Sequence, residues 1–228
     1  MFDFANSAFT TLVVTFIYSA YFAKAIAPTI EVGTHYWSIA IGVSALFIAT
    51  ISPLAGTLAD QSGHRKRYLI AATITGVLFT SLLYFPEKGE ILLALVIFTA
   101  ANVSIEIAQV FYNAYLPEIS TNKNVGKISG YGWGLGYLGG LLCLGLALLL
   151  FVQPETPAFG LSKQSGQHIR ATNLLVAIWF AVFSIPTFLI LKDRPAAQRR
   201  KKNRGIFRQA VAELADTLKN VRAYPQII

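Results

Sequence analysis

The chain has 228 residues, of which 54% are hydrophobic and only 13% are charged. Soluble domains carry about 25% charged residues, so this composition excludes an ordinary water-soluble protein. The formal net charge of +8 does not indicate a nucleic-acid partner, because the basic residues are grouped in particular loops between apolar blocks.

Six apolar blocks have the length that a membrane-spanning helix needs, about 20 residues. They cover residues 4–24, 36–59, 68–85, 91–116, 128–152 and 171–191. Transmembrane β-strands would instead give short segments of alternating hydrophobicity. The sequence therefore predicts an all-α membrane protein, with six transmembrane helices in one bundle over residues 1–192 and with the lipid bilayer around it.

The first block carries a polar stripe made of Asp3, Asn6 and Thr10, with Ser7 beside it. Asp3 lies near the predicted start of the helix, where an Asp side chain often caps the free N–H groups. Two interpretations are open for Asp3: a helix cap, or part of a pathway for substrate or protons.

The segment GTLADQSGHRKR, residues 56–67, joins the second and third blocks. Gly63 can take the positive φ that a tight turn often needs. Gly56 has no Cβ, so another helix can approach closely there. Asp60 lies where the second helix leaves the apolar layer, with basic residues close behind it.

The fourth block carries a second polar stripe, at spacings of 4, 3 and 4 residues. On a helix these residues fall within about 60° of arc, and they are Asn102, Glu106, Gln109 and Asn113. An ionised carboxylate is costly in lipid, so this face should point to the bundle interior or to a wet cavity. Glu106 is then either a substrate-binding or proton-carrying residue, or a structural partner of a Tyr or Asn on a neighbouring helix.

The fifth block begins SGYGWGLGYLGG, with Gly132, Gly136 and Gly140 at intervals of four residues. This spacing places the three glycines on one helix face and favours close packing against another helix. Tyr131, Trp133 and Tyr137 are either cavity-lining residues or the packing and interface anchors that aromatic residues usually are in membrane helices.

Basic residues are unevenly divided between the two sets of loops. The loops at 60–67, 117–127 and 192–208 hold thirteen basic residues: Arg65, Lys66, Arg67, Lys123, Lys127, Lys192, Arg194, Arg199, Arg200, Lys201, Lys202, Arg204 and Arg208. The loops on the opposite side hold only four: Lys24, Lys88, Lys163 and Arg170. Cytoplasmic loops are enriched in Lys and Arg, so the 60–67 side and the N-terminus are predicted to be cytoplasmic.

Residues 193–224 are predicted to form a basic cytoplasmic linker that contains an amphipathic helix. Phe207, Val211 and Leu214 begin an apolar face that continues at Leu218 and Val221. Residues 225–228 read as the start of a further apolar stretch, and we expect the chain to be one half of a larger assembly.

Four segments together resemble the vacuolar amino-acid effluxer-like (autophagy-related) branch of the major facilitator superfamily. They are DFANSAF (3–9), ISPLAGTLAD (51–60), NAYLPEI (113–119) and SGYGWGLGYLGG (129–140). The segment 56–67 is similar to the superfamily signature between the second and third helices. The resemblance covers nearly the whole chain, but only the N-terminal half of such a transporter.

This resemblance implies a bundle of two three-helix repeats that pairs with a second six-helix bundle. It also implies a cytoplasmic gate in which Asp60, Arg65 and Lys66 form a latch, with Gly56 and Gly63 as structural glycines. The implied partner is a small-molecule solute, with amino acids among the candidates. The membrane is expected to be the plasma (inner) membrane or a vacuolar-type membrane.

Nothing in the sequence indicates an enzyme or a cofactor. His35, His64 and His168 lie in or next to loops without metal-ligand spacing, and the phosphate-binding loop of ATP-driven proteins is missing. The sequence therefore favours a secondary transporter of small solutes that works by alternating access. The alternative is a truncated or non-transporting membrane scaffold that retains the half-transporter fold.

Overall fold

A computed structural model describes residues 1–121 and 123–193, without the side chains of Leu58, Asp60, Gln61, Ser62 and Glu118. The predicted linker and amphipathic helix of 193–224 therefore lie outside the described residues except for Asp193, as does the predicted apolar start at 225–228.

Six long helices account for most of the described residues, which contain no strand. Two short helical turns, Leu116–Ile119 and Ala158–Gly160, lie in the connections. The long helices are α1 (Phe2–Ile26), α2 (Ile30–Ser62), α3 (Arg65–Leu82), α4 (Ile91–Asn113), α5 (Val125–Val152) and α6 (Gln167–Ile190). The predicted all-α membrane fold is confirmed.

Five of these helices are long and apolar enough to cross a membrane, and α3 is the exception. It has 18 residues, and its first three, Arg65, Lys66 and Arg67, are basic, which shortens its apolar part. The predicted count of six spans is therefore supported for five helices. A crossing by α3 stays a prediction.

Local sequence signals set the ends of α2. The hydroxyl of Thr29 accepts a hydrogen bond from the backbone N–H of Val32 at 3.3 Å, which caps the helix start. The helix ends at Gly63, whose φ of 68° is the left-handed conformation that the sequence predicts for this turn. Only Gly63 and His64 separate α2 from α3.

The first three helices and the last three pack against each other in an equivalent way. The first helix of each group contacts the second and third helices of the other group: α1 packs on α5 and α6, and α4 packs on α2 and α3. In addition, α3 packs on α6. This exchange of equivalent neighbours is what two three-helix repeats produce, and it places α1 and α4 at the interface between the repeats.

The core lies along α1 and α4, and several aromatic rings meet within it. Phe9 stacks on Phe98 with ring centroids 6.3 Å apart, and Trp37 lies 4.1 Å from Phe98. By contrast, α2 and α5 leave large apolar residues exposed, among them Leu46 at 71% and Leu149 at 66%. A bilayer or another apolar surface can cover such faces.

Candidate functional site

The carboxylate of Asp3 lies between α1 and α4, where two donors from α4 hold it. The side-chain amide of Gln109 donates to Oδ1 at 3.2 Å, and the hydroxyl of Tyr112 donates to Oδ2 at 3.1 Å. The helix begins after Met1, and Asp3 does not cap it with its side chain. The capping interpretation of Asp3 is therefore wrong, because its oxygens are engaged by the neighbouring helix.

Gln109 is the centre of this hydrogen-bond network. Its Nε2 also donates to the amide oxygen of Asn113 at 3.2 Å, and its Oε1 accepts from Nδ2 of Asn6 at 2.5 Å. Since the Asp3 carboxylate can only accept hydrogen bonds when ionised, it fixes the orientation of the Gln109 amide. The two predicted polar stripes thus meet across the α1–α4 contact.

A cavity of about 380 Å³ opens beside this network. Glu106 lies on its wall, is exposed, and has no hydrogen bond to any residue that the structure describes. The structural alternative, a Tyr or Asn partner for Glu106, is therefore not found among the described residues. The cavity is lined by Asp3, Asn6, Ser7, Thr10, Thr11, Glu106, Gln109, Trp133 and Tyr137.

Asn102 does not join the site, although it shares the predicted stripe. Its side-chain amide donates to the hydroxyl of Ser44 on α2 at 2.9 Å, and Ser44 is fully buried. Asn102 lies one turn before Glu106, where α4 packs on α2, so its neighbours are those of a helix contact. Asn102 thus contacts α2 and does not line the cavity, and its predicted part in a solute or proton pathway stays a prediction.

A second, smaller cavity of about 70 Å³ lies on the other side of Asp3. Asn113 lines this cavity rather than the larger one, together with Tyr112 and Gly132. Asp3 and Trp133 line both cavities and therefore lie between them. Four of the predicted pathway residues besides Asp3 border the larger cavity: Asn6, Thr10, Glu106 and Gln109.

The glycine face of α5 makes room for the polar stripe of α1. A Cβ at Gly132 would lie 2.8 Å from Oδ2 of Asp3, and one at Gly136 would lie 2.7 Å from the Ser7 hydroxyl. At Gly140 it would meet the Thr11 hydroxyl at 2.5 Å. Gly139 lies outside this four-residue series, but it belongs to the same contact. A Cβ there would collide with the backbone carbonyl of Phe4.

The predicted gate segment brings together the ends of three helices. A guanidinium N–H of Arg65 donates to the backbone carbonyl of Ala114, just after α4, at 3.3 Å. Lys66 contributes its backbone N–H rather than its side chain, and this N–H donates to Oδ1 of Asp193 at 2.8 Å. Asp193 also accepts from the Tyr115 hydroxyl at 3.2 Å. Asp193 thus links the end of α6 to the start of α3 and the end of α4.

For two residues of the gate segment, Asp60 and Gly56, the predicted role stays a prediction. The side chain of Asp60 lies outside the described residues, so its latch role stays a prediction. At Gly56, none of the described atoms lies within 4 Å of the place that a Cβ would take. No described helix therefore makes a close approach at Gly56, and its role as a structural glycine stays a prediction.

Sequence reasoning also missed Arg170, which looks like an ordinary loop charge. Its side chain is 3% exposed, and it donates to the backbone carbonyl of Phe85 at 3.1 Å and to the Glu87 carboxylate at 2.9 Å. A buried charge needs such partners. They lie more than 80 residues away in the chain, so no local pattern reveals the contact.

The groups around the cavity are of kinds that can bind a small molecule. It offers two carboxylates, amide and hydroxyl groups, and two aromatic rings around a cavity of small-molecule size. No group of three or more His, Cys, Asp or Glu residues in the described part of the chain is placed to hold a metal ion.

Comparison with known proteins gives a family match over most of the chain. A model of the family described as "Vacuole effluxer Atg22 like" matches residues 32–228. The chain is 28% identical to the uncharacterised MFS-type transporter YxiO of Bacillus subtilis, over 98% of this chain and 52% of that protein. It is 22% identical to the autophagy-related protein 22 of Coccidioides immitis, over 73% of this chain and 34% of that protein.

A shorter segment is more similar to a second fungal relative. Over 69 residues, 30% of this chain and 10% of the relative, it is 33% identical to the autophagy-related protein 22-1 of Emericella nidulans. No solved structure matches this chain. The chain spans between about a third and about half of the length of the relatives that it matches over most of its own length.

Proposed function

This chain belongs to the Atg22-like vacuole effluxer family, and we propose that it forms the N-terminal bundle of a secondary transporter that moves small solutes by alternating access. It is an integral multi-pass membrane protein. One observation carries the proposal: the polar cavity and its hydrogen-bond network lie between α1 and α4, the first helices of the two repeats. Solute sites of secondary transporters lie near such repeat interfaces.

The network gives this bundle the rigidity that alternating access needs. The Asp3 and Asn6 side chains of α1 are both bonded to Gln109 of α4. These contacts would keep the two helices together while the whole bundle moves against a second one. The proposed second bundle would cover the open side of the cavity, where Trp133 and Tyr137 of α5 are 65% and 66% exposed.

The segment between α2 and α3 is proposed as the cytoplasmic gate. Arg65 and Asp193 fix the ends of α3, α4 and α6 against one another. The latch role of Asp60 rests on the family signature. Breaking these contacts would free the helix ends to separate when the cavity opens on this side.

Glu106 is proposed to act in one of two ways. It carries a proton during the transport cycle, or it serves as the counter-charge of the solute. Both follow from an unpaired carboxylate on the cavity wall of a membrane helix, which is costly unless a proton or a cation compensates it.

The solute is proposed to be small, with amino acids among the candidates because the sequence resembles the vacuolar amino-acid effluxer-like branch of the superfamily. The plasma (inner) membrane is proposed over a vacuolar-type membrane, because the relative that covers nearly the whole chain is bacterial.

A solute panel tests the proposed function. The complete gene product is reconstituted in liposomes, and uptake of labelled amino acids, sugars, organic acids and amines is measured with and without a proton gradient. Saturable uptake of at least one solute, absent from protein-free liposomes, is expected. No uptake of any panel member in either direction would favour the non-transporting scaffold.

A further inference from the structure

We propose that the cavity binds its solute through a positively charged amine, with the Glu106 carboxylate as counter-charge and the Trp133 indole as an aromatic wall. This inference rests on the proposed function, since it assigns a chemical class to the solute of the same cavity. It follows from the charges of the lining residues, from the hydrogen bonds that are already made, and from the position of the aromatic rings.

The charges that line the cavity have one sign. Asp3 and Glu106 are acidic, and the other described lining residues are neutral, without a Lys, Arg or His among them. A cleft with charge of one sign and walls of low dielectric concentrates ligands of the opposite charge. The same field opposes a carboxylate or phosphate group, which would also lack a basic partner on these walls.

The two acidic residues are not equivalent. Both oxygens of Asp3 already accept hydrogen bonds from α4, and Gly132 packs against one of them. Asp3 therefore contributes charge while it joins the helices. Glu106 has no hydrogen-bond partner among the described residues, so its oxygens are available to a ligand. An ammonium group supplies the missing charge together with three N–H donors.

Trp133 and Tyr137 provide a surface that suits a cation. They lie one turn apart on α5 with ring centroids 6.1 Å apart, and both line the cavity. The faces of aromatic rings attract ammonium groups within about 6 Å of the ring centre, and Trp attracts them more strongly than Tyr or Phe. Trp133 also borders the smaller cavity next to Asp3, so part of its ring faces the polar region although the residue is largely exposed.

An amino acid would therefore dock on this bundle by its amine. Its carboxylate would find no basic residue on the described walls of the cavity. Selectivity on this bundle then depends on the ammonium end, and a solute without one should bind poorly.

A set of three solutes separates the contribution of the amine from that of the carboxylate. L-Valine carries both groups, isobutylamine lacks the carboxylate, and isovalerate lacks the amine. Binding to the complete gene product is measured by titration calorimetry in detergent. We expect isobutylamine and L-valine to bind, and isovalerate to bind at least about tenfold more weakly, a difference of about 1.4 kcal/mol.

The role of Glu106 is measured with a matched pair of variants. Glu106→Gln keeps the size of the side chain and removes its charge, and it should weaken isobutylamine binding at least about tenfold. Glu155→Gln makes the same change at an exposed loop position outside the cavity and should leave the affinity unchanged. If Glu106→Gln is not monodisperse on size exclusion, Glu106→Asp replaces it. Its charge is kept on a shorter arm, so amine binding should weaken but stay stronger than that of isovalerate.

Trp133→Leu tests the aromatic wall, because it removes the indole and keeps an apolar side chain. It should weaken isobutylamine binding severalfold and leave the weak binding of isovalerate as it is. Equal losses for both solutes would mean that the indole only shapes the cavity, which would overturn its proposed role.

Three results would overturn the amine assignment: isovalerate binds as well as isobutylamine, Glu106→Gln retains full amine affinity, or none of the three solutes binds. Uptake of a solute without any preference for amines would reject this assignment and leave the transporter proposal standing. Amine binding with no uptake of any solute would reject the transporter proposal and leave the amine assignment standing.

Discussion

Gly132 of α5 leaves free the space that the Asp3 carboxylate of α1 occupies, since a Cβ at position 132 would lie 2.8 Å from Oδ2 of Asp3. The glycine is therefore tied to the polar network as well as to helix packing. Asp3 can reach Gln109 and Tyr112 on α4 only while α5 carries no side chain at this point.

Gly132→Ala tests this relationship. The added methyl group must displace the Asp3 carboxylate or push the two helices apart, and such overpacking costs about 1–3 kcal/mol. We expect a lower thermal unfolding midpoint and a reduced rate of uptake. Gly134→Ala is the matched control on the same helix, because no described atom lies within 4 Å of its Cβ position. Equal effects of the two substitutions would contradict the assigned contact.

Asp193 is predicted to hold the ends of α3, α4 and α6 together through its carboxylate. Asp193→Ala removes the acceptor for the Lys66 backbone N–H and the Tyr115 hydroxyl, and loss of such a helix cap costs about 0.5–2 kcal/mol. Asp193→Asn keeps an oxygen acceptor and should lose much less. Thermal unfolding of both variants in detergent measures the difference, and indistinguishable variants would exclude the capping role.

Arg170 is predicted to be a major stabilising contact at the other end of the bundle. Arg170→Met removes the donors to Phe85 and Glu87 and should destabilise the protein by about 3 kcal/mol. The Glu87 side chain is 68% exposed, so Glu87→Gln should cost less than about 1 kcal/mol. An effect of Glu87→Gln as large as that of Arg170→Met, in the same denaturation assay, would show that the ion pair rather than the backbone contacts dominates.

The predicted topology is tested by labelling from outside. In a Cys143→Ser background, Lys163→Cys and Lys123→Cys each place a thiol in an exposed loop. An impermeant thiol reagent added to intact cells should modify the first and not the second, because the basic loops are predicted to be cytoplasmic. The reverse pattern would invert the bundle in the membrane.

Local patterns predicted those features that depend on neighbouring residues in the chain. The apolar blocks predicted the helices, and the turn at Gly63 followed from the need for a positive φ. The stripe on α4 was visible from helix periodicity alone. Its arc could not separate Asn102 from Glu106, because that distinction depends on Ser44 of α2, which lies 58 positions away.

The missed residues share a dependence on distant partners. Arg170 bonds to a loop more than 80 positions away, and Asp193 bonds to Lys66 at a separation of 127. In a sequence both look like ordinary loop charges next to an apolar block. At Gly56 no described atom makes the close contact, since a missing Cβ permits such a contact but does not supply the helix that would make it.

The role of Glu106 in transport is decided by the initial rate of solute uptake by Glu106→Gln across pH, with Glu155→Gln as the control. Glutamine has nearly the size of a protonated glutamate and can also donate a hydrogen bond, so a structural residue should tolerate the change. We expect Glu106→Gln to abolish uptake at every pH while the control transports normally. Normal uptake by Glu106→Gln across pH would contradict a solute or proton pathway through this cavity and place the pathway elsewhere.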